Sequence, residues 1–224
     1  MGRTRPRGAA RCGGAVLRGA AHGNGARDPE NRLFGRANLK RLEAEAVRDA
    51  LLAVSGQLDP QIGGSLLKVK NRGYLFDHTS KDLSDYTSQR RSLYLPVIRN
   101  NVYDLFQLLD FPDPAIPTGD RTPTTIAPQA LLMLNSDFVM QSAADFAARV
   151  IAEGDDDSER LNQMVSIAYG RHASGDELAA NLAFLAQAER SLAETEADPN
   201  QRRRQAWNVL GQVIVAANEF MYVK

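Results

Sequence analysis

From Ile126 to Asn218 apolar residues recur at helical spacing through successive stretches separated only by short polar breaks, and this pattern constrains the fold more than any other feature of the chain. Ile126 to Val150 is interrupted at Asn135-Ser136, two residues suited to capping a second helix from Asp137 to about Ala152. Glu153 to Glu159 holds five acids in seven positions, an acidic loop that leads into a helix over Ser158 to Tyr169. Ser174 followed three residues later by Glu177 has the spacing of a capping box, which opens a helix to about Glu194. A last helix spans about Asn200 to Asn218 and carries the only tryptophan, Trp207. Helices joined by such short loops pack as neighbours. The expected fold class is therefore mainly α, a bundle-like domain.

The N-terminal half is less regular. Residues 1–27 are almost wholly Gly, Ala and Arg without periodicity, and the expectation is a disordered basic head before a helical domain at 28–224. A nucleic-acid tail would need aromatics interleaved for stacking, and none is present in that head. Lys+Arg and Asp+Glu are both 27, so the electrostatic warrant for nucleic acid is missing. Asn38 to Leu58 has Leu39, Leu42, Ala46, Ala50 and Val54 on one helical face, with Gly56 as the stop. Residues 60–98 offer at most a small strand element, at Tyr74 to Phe76 and Ser92 to Val97, where Pro96 would confine the second to an edge. Helical spacing resumes over Asn101 to Leu109 and stops at the proline-rich Phe111-Pro112-Asp113-Pro114.

Cys12 is the only cysteine, which excludes an intrachain disulfide and a thiolate zinc site, and His22, His78 and His172 lie at no metal-binding spacing. No metal or cofactor is expected in this chain. No apolar run reaches the ~20 residues of a membrane span, and the N-terminus lacks the apolar core of a secretory signal.

Arg90 to Phe138 is the densest mixture of arginine, asparagine, proline and threonine. Arg90, Arg91, Arg99, Asn100 and Asn101 precede one helix, and Arg121, Thr122, Thr124 and Thr125 precede another. If the helix starts converge, guanidinium groups and free amides would form an anion site from Arg90, Arg91, Asn100, Asn101, Arg121, Thr124 and Thr125. The alternative is structural: Thr124 or Thr125 caps a helix, Arg90 and Arg91 pair with Asp110 or Asp113, and the asparagines satisfy loop backbone. Asp104, Asp110, Asp113 and Asp120 could supply a carboxylate pair, although their spacing matches no calcium loop. Tyr94, Tyr103, Phe106, Phe111, Phe138, Phe146 and Phe184 would line either a cleft or the core, and Trp207 and Phe220 would anchor the last helix.

Several blocks, PENRLFGRANLKRLEAEAVRDALLAVSGQLD, RRSLYLPVIRNNVYDLFQLLDFPDP, RTPTTIAPQALLMLNSDFV and NVLGQVIVAANEFMYVK, together resemble the planctomycete-specific domain of unknown function 1553. The resemblance runs from about Asp28 to Lys224. It implies the C-terminal part of a longer exported or periplasmic protein, after a second planctomycete domain and often a cytochrome-c-like domain, so that haem would belong to a partner or upstream domain. On this reading the chain is a truncated or misannotated fragment. The expected role is an accessory module, and the rivals are an enzyme domain acting on an acidic or sulfated polysaccharide and a carbohydrate-binding module. The resemblance carries no catalytic residue.

Overall fold

Val139, Ala143, Phe146, Ala147 and Val150 are all sealed from solvent, and their three- and four-residue spacing makes one continuous apolar stripe on a helix. The computed structural model describes residues 28–35, 37–64, 66, 86–99, 101–119 and 121–223. Its elements in chain order are β1 (Lys40–Arg41), α1 (Ala44–Val54), a 3-10 turn (Ser92–Tyr94), α2 (Asp104–Leu108), α3 (Ala127–Asn135), α4 (Asp137–Glu153), α5 (Asp157–Tyr169), α6 (Gly175–Leu192), α7 (Pro199–Ala216), α8 (Asn218–Met221) and β2 (Tyr222–Val223). The domain is mainly helical, with a two-stranded sheet.

Local chemistry sets the helix ends. Asp156 accepts the Glu159 amide at 2.8 Å to start α5, and Gly170 ends it with φ 69°. The capping box of α6 is formed, with Ser174 Oγ accepting from the Glu177 amide and the Glu177 carboxylate accepting from the Ser174 amide. Pro199 opens α7 behind an Asp198 cap.

The centre is the crossing of α4 and α7, where Trp207, Leu210, Ile214 and Val215 of α7 are buried. Gly211 lets the two backbones approach: a Cβ there would lie 2.8 Å from the Ala143 carbonyl oxygen. Val47 and Leu51 of α1 and Leu161 and Met164 of α5 complete the core. Leu185 is the only buried residue of α6, which makes α6 the outermost long helix. Among the described residues no helix is long and apolar enough to cross a membrane.

Three local expectations are corrected. The strand expected over Ser92 to Val97 is a 3-10 turn at Ser92–Tyr94, because Asp49 takes both the amide and the hydroxyl of Ser92. The sheet instead pairs β1 with β2 antiparallel, Lys40 opposite Val223 and Arg41 opposite Tyr222. That pairing holds residues 40 and 41 extended, so the helix begins at Ala44 and not at Asn38. Its buried face is Ala44, Val47, Arg48 and Leu51, rotated from the expected Leu39, Leu42, Ala46 and Ala50; Val54 alone is buried on both readings. The helix expected from Asn101 is confined to Asp104–Leu108. The basic head at 1–27 and the strand at Tyr74 to Phe76 lie outside the described residues.

Candidate functional site

Arg41 follows the strand residue Lys40 and turns inward. Its Nη1 donates to the Thr124 carbonyl at 2.6 Å and to Gln129 Oε1 at 2.8 Å, and its Nη2 to the Leu109 carbonyl at 3.0 Å and Asp110 Oδ2 at 2.7 Å. Asp110 also accepts from the Thr124 amide, the Thr124 hydroxyl and Gln129 Nε2. Burial on its own would raise the Asp110 pKa; the Thr124 amide and hydroxyl and the Arg41 guanidinium outweigh it and hold the carboxyl below its ordinary value. This hub ties the end of α2 to the start of α3 and closes the loop at 111–123.

A second chain of arginines holds the irregular segment. Arg48, 1% exposed, donates from Nη1 to the Arg90 carbonyl and Ser92 Oγ and from Nη2 to the Ser88 carbonyl. Burial lowers its pKa, opposed by the Tyr103 hydroxyl and Asp49. Arg90 in turn donates to the Gln61 and Gly63 carbonyls and lies 4.1 Å over the Tyr94 ring.

The predicted anion residues are thus distributed. Arg90 is buried in a structural role, whereas Arg91 is exposed. Asn100 lies outside the described residues, and Asn101 bridges back to Ile98. Thr124 belongs to the hub, and the Thr125 hydroxyl lies 3.4 Å from that of Tyr222. Asp110 pairs with Arg41, not with Arg90 or Arg91. Of the four aspartates, Asp104 sits in the first turn of α2, and Asp120 is outside the described residues. Among the described residues no cluster of three metal-ligating side chains occurs.

Arg121 reaches a different place. It lines an open groove of about 530 Å³ with Lys40, Glu43, Val97, Phe111, Pro112, Asp113, Pro114, Ile116, Thr118 and Gly119. Its Nη1 is shared by Glu43 at 2.9 Å and Glu45 at 3.0 Å, and its guanidinium lies 5.4 Å over the Phe111 ring. Phe111 stacks on the buried Phe106, which stands edge-on to Tyr103, so the aromatics run from core to groove. Neither Arg91 nor Thr125 lines it.

A separate apolar face lies beside the α3–α7 seam, where Gln212 Nε2 donates to the Leu134 carbonyl at 2.7 Å. Within a turn of that bond Leu131 and Leu134 of α3 are 55% and 52% exposed, and Val209 and Val213 of α7 are 43% and 49% exposed. Sequence reasoning missed Arg41 and Arg48. Arg48 had a signal, since it fills the i+4 slot of the face made by Ala44, Val47 and Leu51; Arg41 had none short of its distant partners.

A family model described as PSD1, protein of unknown function (DUF1553), matches residues 18–185. No curated protein and no solved structure matches the chain.

Proposed function

The chain belongs to the DUF1553 family of proteins of unknown function, and from that premise we propose that it is an accessory, non-catalytic module that docks on another domain of an exported, cytochrome-c-associated protein of the planctomycete type. The observation that carries this reading is the aliphatic face of Leu131, Leu134, Val209 and Val213. Its neighbours on the same two helices include Ala130, Asn135, Asn208 and Gln212, a methyl group and three amides with no formal charge. Apolar side chains in a patch depleted of charge are the composition of an interface core. The resemblance to planctomycete proteins supplies the partner's class, a haem-bearing domain. The arginines that would attract an anionic substrate give less support to the enzyme reading, because Arg41, Arg48 and Arg90 spend donors on backbone carbonyls.

The test places a photo-crosslinking amino acid at Val213 in the native host, with Gln187 on the exposed side of α6 as the control position. A haem-staining adduct from Val213 and none from Gln187 is the expected result. Equal labelling at both positions, or no haem-bearing adduct, would sink the proposal.

A further inference from the structure

The groove beside Arg121 is independent of the docking face. Its volume of about 530 Å³ falls in the ~300–1,000 Å³ range of ligand sites. Two features indicate that it is built. The loop that forms one wall is closed at its neck by Asp110 and Thr124. Asp110 itself is held at φ 64°, a left-handed conformation uncommon outside glycine that the contacts around it hold in place.

The groove carries open donors on two cations, Arg121 and Lys40. Both Glu43 oxygens face cations, Arg121 at 2.9 Å and Lys40 at 3.8 Å, and one Asp113 oxygen accepts the Ala115 amide. Among the described residues Arg121 bonds through Nη1 alone, which leaves its Nε and Nη2 edge open, and the Lys40 side chain is 67% exposed. A ligand acceptor would meet these donors, and the open guanidinium edge matches a carboxylate in bidentate fashion. The lining is also aliphatic: Val97 and Ile116 stand exposed and line the groove with Phe111 and the prolines.

We propose that this groove is a peptide-binding site, and that it takes an extended segment carrying an aliphatic side chain beside a carboxylate. The aliphatic residue lies against Val97 and Ile116, the carboxylate meets Arg121 and Lys40, and backbone carbonyls use the remaining donors. The exposed Val and Ile suit an aliphatic side chain, whereas a sugar ring would need the face of Phe111, which already stacks on Phe106 and lies under the Arg121 guanidinium.

The experiment uses the full chain and a fluorescein-labelled peptide, Ser-Gly-Glu-Leu-Gly-Ser with blocked ends, followed by anisotropy. Saturable binding below ~1 mM is expected, weakened at least about tenfold when the peptide's Glu becomes Lys or its Leu becomes Gly. Ile116→Glu and Arg121→Gln should each weaken it as much, with thermal melts confirming the fold. Val97→Lys, at the other exposed aliphatic position, serves if either variant melts early. Absence of saturable binding overturns the proposal, as does binding indifferent to these variants. Cellohexaose binding with the same variant sensitivity, in place of the peptide, would assign the groove to a glycan and also overturn it.

Discussion

Asp110 combines a strained backbone with a carboxylate that accepts from Arg41, Thr124 and Gln129. Hydrogen bonds to a charged group contribute about 1.5–3 kcal/mol each before other costs, enough to hold the left-handed turn. Since the folded pKa is depressed, the stabilisation is complete above the unfolded carboxyl value of ~3.9 and is lost as pH falls through the folded value. Asp110→Asn should therefore be about 2 kcal/mol less stable at pH 7, and the gap in urea midpoints should begin to close below about pH 4 and vanish once the folded carboxyl is protonated. A gap that persists unchanged to pH 2 would place the effect elsewhere than in the carboxylate. Arg48 is the second sensitive residue: Arg48→Met leaves the Ser88 and Arg90 carbonyls without their donor, and a loss of about 2–4 kcal/mol is expected by chemical denaturation. An unchanged midpoint would mean that segment 88–92 holds itself. Both roles were hard to read in the chain, because each depends on a partner far along it, Arg41 for Asp110 and the Ser88 and Arg90 carbonyls for Arg48.

At the scale of elements, the long C-terminal helices were legible because caps and apolar period agree. Asn135-Ser136 separates α3 from α4 as its polarity suggests, although the Ser136 side chain makes no capping bond, and Ser174 with Glu177 makes the box its spacing suggests. The first helix was legible in its stop at Gly56 but not in its phase, since the expected face counted Leu39 and Leu42 as helical while β2 claims their neighbours. Gly211 shows the limit of a propensity argument. Replacing a mid-helix glycine with alanine gains about 1 kcal/mol in helix propensity, yet at this position the new Cβ would sit 2.8 Å from a backbone oxygen of α4. Overpacking against backbone costs about 1–3 kcal/mol, so Gly211→Ala should lower the melting temperature. A rise would show that α4 and α7 can slide apart freely.

For the whole molecule, segments far apart in sequence, residues 40–42 and 220–223, close on one another. The Leu42 amide donates to the Met221 carbonyl at 2.8 Å, Phe220 and Met221 are buried in the common core, and Arg171 joins Glu177 to Glu219 through paired bonds. The apolar terminal residues suggested that Phe220 anchors the last helix, but β-pairing between two two-residue segments leaves no period to find. The C-terminal closure therefore holds β1 and, through Arg41, the hub that shapes the groove. Phe220→Ala should cost about 3–5 kcal/mol, and hydrogen exchange should distribute that loss unevenly. The Leu42 and Thr124 amides, bonded to Met221 and Asp110, should lose protection together, while amides in the middle of α4 and α7 remain the slowest to exchange. If Leu42 keeps its original protection in this variant, β1 is secured by the Arg41 hub alone, and the groove does not depend on how β2 packs.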